Sequence, residues 1–93
     1  MTNLRKEAKG RPCMIREPGI CNADPATTVL CHLNGGGMAM KHDDKHGAWG
    51  CCNCHSWVDG GYIKTGHTKE YMENAHLWGV IRTQQVLIRE GKL

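Results

Sequence analysis

Apolar positions are unevenly spaced along this chain, and their spacing predicts a short series of elements. Thr27-Thr28-Val29-Leu30-Cys31-His32-Leu33 is rich in β-branched and apolar residues and reads as a strand ended by Gly35-Gly36-Gly37. Residues 34–50 are rich in Gly, His and Asp and read as a loop or the return arm of a hairpin. Cys51 to Asp59 reads as a short helix closed by Gly60-Gly61. Thr68 is placed to cap a longer helix, with Glu70 favourable in its first turn. Leu77, Val80, Ile81, Leu87 and Ile88 fall on one face of that helix, and Gly91 ends it. Upstream, Pro18-Gly19 marks a turn between two short extended pieces that carry Cys13 and Cys21. Asn22 to Pro25 reads as a turn, and residues 2–10 as a helical turn or arm. Trp49, Trp57 and Trp78 are expected to pack in the core or on the motif helix.

The order is therefore knuckle, hairpin, short helix, long helix: one small α+β domain over residues 1–93. Within it we expect a basic arm (1–12), a metal-stapled ββα motif (13–60) and a C-terminal helix (61–93). Composition adds a constraint. Leu, Ile and Val together number only 15 of 93 residues and Phe is absent, so the core is thin. The net charge of +3 is too small for the signature of a disordered chain. A folded domain with so little apolar volume needs a staple, and six cysteines offer one.

Charge separates along the chain. Residues 1–16 hold five basic groups and one acid, whereas residues 17–40 hold two acids and no base. The basic arm, with Arg5, Lys6, Lys9, Arg11 and Arg16, suits a polyanion such as nucleic acid. No apolar run approaches the ~18 residues that a membrane span needs. No apolar segment follows the positive N-terminus, so a secretory signal is not expected and a cytoplasmic location is. Cysteines in that compartment stay reduced and are read as metal ligands rather than disulfides.

Cys51 and Cys54 form a C-x-x-C pair that opens a helix, where the dipole favours thiolates. Cys13 and Cys21 form a wider pair, and convergence of the two makes a four-cysteine structural Zn²⁺ site. Cys31 and Cys52 are left over and are read as packing residues. Cys51-Cys52-Asn53-Cys54-His55 also matches the C-x-x-C-H haem-attachment pattern, but that chemistry requires export and leaves Cys13 and Cys21 without a purpose. On the short helix, His55 and Asp59 are four residues apart and share a face beside the cysteine face.

The strand ending Leu30-Cys31-His32-Leu33, a Gly-rich acidic loop, and Cys51-x-x-Cys54-His55 opening a helix together resemble the HNH, or ββα-metal, nuclease motif. More closely, the chain resembles the small phage- and prophage-encoded YbcO-like family assigned to the HNH nucleases. The matching residues are Leu4-Arg5-Lys6, Gly10-Arg11-x-Cys13, Pro18-Gly19-x-Cys21-Asn22, Val29-Leu30-x-His32, Cys51-x-x-Cys54-His55, Asp59 and Arg82-Thr83-Gln84. The resemblance implies an endonuclease that hydrolyses phosphodiester bonds, with DNA the expected substrate. It implies that His32 is the general base, a role suited to an imidazole titrating near neutrality. It implies that His55, with Asp59, binds a catalytic Mg²⁺ or Mn²⁺. Asp44 is the candidate for the middle position that orients the base, with Asp43 and Asn34 behind it; His42, His46 and His67 are further candidate ligands. Cys31 stands where many such enzymes carry a His or Asp ligand, and it is a poor donor to a hard cation. The competing expectation is a non-catalytic zinc module that binds DNA or a recombination or replication protein.

Overall fold

The computed structural model describes residues 3–33 and 46–93. Asn3 caps a one-turn helix, α1 (Leu4–Glu7), by accepting from the N–H groups of Arg5 and Lys6. The knuckle 13–21 follows without regular structure, and a 3₁₀ turn over Pro25–Thr27 leads into strand β1 (Val29–His32). Strand β2 (Gly47–Gly50) pairs antiparallel with β1, Leu30 opposite Trp49 and His32 opposite Gly47. Helix α2 (Cys52–Ser56) starts at once, capped by the Cys51 sulfur. A wide π-type turn over Trp57–Gly61 joins it to α3 (Tyr62–Lys64). Gly60, at φ 143°, kinks this segment rather than ending it, so the expected helix boundary at Gly60-Gly61 is a bend. Thr68 then caps α4 (Lys69–Arg89), its hydroxyl accepting from Tyr71 N–H at 3.0 Å. None of the described helices is long and apolar enough to cross a membrane.

Strand alternation divides the core in two. Cys31 and Ala48 point to one side of the hairpin and join Cys13, Ile15, Cys51, Cys54, Trp57 and Val80. Leu30 and Trp49 point to the other and join Ala8, Met14 and Leu87. The arm is docked rather than loose: Ala8 is fully buried, and Arg11 bonds Glu90 at 2.7 Å while its guanidinium lies 4.8 Å from the centre of the Trp49 ring.

Helix α4 corrects one expectation. Its buried face is Met72, His76, Gly79, Val80, Thr83 and Leu87. Val80 and Leu87 are where periodicity put them, but Leu77 and Ile88 are exposed, and so is Trp78. Close approach and hydrogen bonding select this face. A Cβ on Gly79 would stand 2.9 Å from Ile15 Cγ1 and 3.1 Å from Ala48 Cβ, so only glycine lets the helix lie on β2. The Thr83 hydroxyl accepts from Trp49 N–H at 3.0 Å and donates to Gly79 C=O at 2.8 Å. His76 Nε2–H donates to Cys31 C=O at 2.8 Å.

Candidate metal centre and the surfaces beside it

The sulfurs of Cys13, Cys21, Cys51 and Cys54 lie within 4.8 Å of one another, and among the described residues they are the one cluster of metal-ligand type. A tetrahedral zinc site with Zn–S bonds of about 2.3 Å requires sulfurs about 3.8 Å apart. Cys21 and Cys51 stand at 3.9 Å. The set therefore fits a metal ion such as zinc, which its soft thiolates favour.

Local backbone conformation prepares each sulfur. Arg16 N–H reaches Cys13 Sγ at 3.4 Å, Ala23 N–H reaches Cys21 Sγ at 3.4 Å, and Cys54 N–H reaches Cys51 Sγ at 3.3 Å. Arg16 (φ 53°) and Ala23 (φ 56°) hold left-handed conformations, uncommon for residues other than glycine. This strain coincides with the N–H groups turned toward sulfur. The Cys13 thiol is pulled far below its ordinary range, first by a hydrogen bond from Cys54 and then by the N–H groups of Arg16 and Cys51. Cys54 is pushed up by the same bond and by burial. The opposite shifts follow from two thiols crowded against each other; a bound dication would favour thiolate at all four.

Two residues that carry no metal-ligand pattern in the sequence support this centre. Glu17, buried between the paired cysteines, donates its N–H to the Cys54 sulfur, and its carboxylate accepts from Tyr71 OH at 2.9 Å. That carboxylate also lies 3.9 Å from His67 Nε2, while His67 stacks on Tyr71 at 4.7 Å. The knuckle is thus tied to the start of α4. A lone acid between two ligand cysteines was the available signal. The second is His76, whose bond to Cys31 C=O fixes the end of β1 to α4. Burial holds His76 below its ordinary range, and the charges of His55 and His32 push it the same way.

The leftover cysteines differ from each other. Cys31 is buried, and desolvation pushes its thiol up to about 12, with nearby sulfurs adding to the shift. Cys52 is exposed, 3.3 Å from Asn22 Nδ2, so it does not pack in the core. The difference follows from register: Cys51 caps α2 with its sulfur turned inward, and the next residue points out.

His55 and Asp59 are both exposed on the outer side of the segment that Cys51 and Cys54 anchor. Asp59 and His76 line a hollow of about 780 Å³ together with Leu33, which follows His32. His32 itself is half-buried at the end of β1 and lines a different groove, of about 560 Å³, with Arg5, Lys9, Thr28 and Val29. Lys6 is exposed outside that groove. Arg11 is held by Glu7 and Glu90, and Arg16 donates to Cys13 C=O at 2.9 Å. Glu90 is correspondingly held down at about 2 by its bonds to Arg11 and Lys92. His67 belongs to the Glu17–Tyr71 group. Asp44, Asp43, Asn34 and His42 lie outside the described residues.

Known proteins resemble this chain along nearly its whole length. A family model described as "Putative nuclease YbcO" matches residues 2–92. The protein named "Putative nuclease YbcO" of Escherichia coli (strain K12) is 36% identical over 96 residues, covering 98% of this chain and 96% of that protein. A protein of Enterobacteria phage 82 with the same name matches to the same extent. A solved structure described as a putative bacteriophage protein from Escherichia coli K-12 superposes with a TM-score of 0.78 at 32% identity, covering 96% of this chain and all of that one.

Proposed function

The chain belongs to the YbcO family, whose description is that of a nuclease, and on that premise we propose that it is an HNH-type, metal-dependent endonuclease acting on DNA. The observation that carries the proposal is the position of α2. The cysteine cluster holds this helix beside the hairpin, so that His55 and Asp59 on its outer side and His32 at the end of β1 are presented at open surfaces.

In this reading zinc in the four-cysteine cluster is structural, since all four ligand positions are protein thiolates and none is left for substrate. A divalent Mg²⁺ or Mn²⁺ held by His55 and Asp59 would supply Lewis-acid stabilisation of the crowded phosphate and the leaving 3′ oxygen. His32, in its neutral form, takes the proton from the attacking water. Its place on a paired strand fixes the imidazole better than a loop would. Asp44 is proposed to orient it. The anchoring of Cys31 C=O by His76 keeps the strand end from fraying as that proton moves.

The buried Cys31 thiol favours a second reading. Just before the base the chain offers the core an inert sulfur and the cation no ligand, which suits a module that binds DNA or a recombination or replication protein without cutting. Cleavage of supercoiled plasmid and of single-stranded DNA by zinc-loaded protein, with Mg²⁺ or Mn²⁺, decides between them. We expect cation-dependent nicking in the wild type and its loss in folded His32→Ala. Nicking that survives in His32→Ala sinks the base assignment. Absence of nicking on every substrate favours the binding module.

A further inference from the structure

Five basic side chains crowd the first sixteen residues, but the fold does not present them alike. Arg11 is committed to Glu7 and Glu90, and Arg16 to the knuckle carbonyl of Cys13. Arg5 on α1 and Lys9 in the turn that follows it line one groove, which residues of β1, His32 among them, also line. Its remaining lining is Ala26, Thr28, Val29 and Leu30. Two long cations beside a mostly apolar lining match a sugar–phosphate strand: charge for the non-bridging oxygens, aliphatic contact for the sugar. Thr28 adds an independent mark. It is only 4% exposed, yet its hydroxyl has no hydrogen-bond partner among the described residues. A buried hydroxyl without an acceptor is costly, and Thr28 is part of the lining of this groove.

We propose that the groove of Arg5, Lys9 and Thr28 holds the backbone phosphate next to the scissile one, leading the nucleic-acid strand along β1 into His32. This deepens the nuclease reading and rests on it for the word scissile; the groove as a nucleic-acid site does not need cleavage. It also assigns the arm's role to two residues rather than to its total charge. Lys6 lies on the same turn and carries the same charge, but it is outside the groove.

Lys6 is therefore the control. Binding of a short fluorescein-labelled oligonucleotide, single-stranded and duplex, is measured by anisotropy with zinc-loaded full-length protein and no added Mg²⁺ or Mn²⁺. Arg5→Ala and Lys9→Ala are each expected to weaken binding several-fold and to reduce the slope of log K against log salt by about one. The double variant should lose about tenfold or more at moderate salt. Lys6→Ala should stay within about twofold, and Arg5→Lys should recover much of the loss. Zinc content and circular dichroism confirm that each variant is folded. Equal losses in Lys6→Ala and Lys9→Ala overturn the proposal in favour of diffuse attraction, and so does unchanged binding in the double variant or no binding by the wild type. If the charge-matched difference appears but no plasmid is nicked, the groove stands and the nuclease reading fails.

Discussion

The cysteine cluster and the surface proposed to hold a catalytic cation are built in opposite ways. At the cysteine cluster every sulfur is brought to ligand distance, and backbone N–H groups already point at the sulfurs. At the His55–Asp59 surface two donors stand exposed, and no third described ligand is grouped with them. On the proposed function, the difference separates a site that serves the fold from one left open for chemistry. A structural ion is enclosed by protein and stabilises the chain outright, whereas a catalytic ion must keep positions open to water and phosphate.

Removing the metal is the largest way to break the comparison. The buried cluster around Cys13, Cys51 and Cys54 is also the centre of the larger half of the core. Structural zinc in small domains contributes on the order of 10–16 kcal/mol to folding, against a total stability of about 5–15 kcal/mol for a typical domain. Chelation, or Cys54→Ser, should therefore abolish the cooperative thermal transition by circular dichroism. Retention of a sharp transition in chelated protein would mean that the core stands without the ion. His55→Ala and Asp59→Asn, changed at the open surface, should melt like the wild type to within about 0.5 kcal/mol.

How much of this was legible follows from the kind of signal each region carries. The C-x-x-C pair at a helix start, the β-branched strand and the Thr68 cap are local patterns, and local patterns survive in sequence. The buried face of α4 is not local. His76, Gly79 and Thr83 sit there because of a carbonyl on β1, a side chain in the knuckle and an N–H on β2. Hydrophobic periodicity has no view of those partners, so it selected Leu77 and Ile88, which face outward. Glu17 was missed for the same reason: its partners are fifty or more residues away in the chain, Tyr71 in the first turn of α4 and His67 just before that helix.

A smaller perturbation sharpens the contrast from the closed side. Gly50 closes β2 behind the cluster, and a Cβ there would stand 2.7 Å from Cys31 Sγ and 2.8 Å from Ile15 Cδ1. Neither neighbour can withdraw easily, because Cys31 is 1% and Ile15 3% exposed. Gly50→Ala should cost about 1–3 kcal/mol by overpacking, read as a lower denaturant midpoint at unchanged slope. An unchanged midpoint would show that this half of the core has slack. Zinc stoichiometry should stay at one per chain, since no ligand is altered.

The smallest effect belongs to His76, which lies between the two regions. Burial, with help from the charges of His55 and His32, holds its folded-state pKa below the ordinary 6.5. The unfolded chain therefore takes up the proton first as pH falls. Stability from this residue is full above about pH 6.5 and is lost below it, by at most about 1.4 kcal/mol per pH unit, until the folded-state pKa is reached. Acid also protonates the cluster thiolates, so the wild-type profile alone does not isolate the histidine. His76→Gln places an amide N–H near the position of Nε2 and can keep the bond to Cys31 C=O without titrating. The two proteins should differ by a constant above neutrality, and the wild type should lose ground relative to the variant as pH drops through 6.5. Parallel melting curves across that range would show that His76 is not held neutral, and the tie between β1 and α4 would then carry a charge beside the apolar side chains of Val80 and Met72.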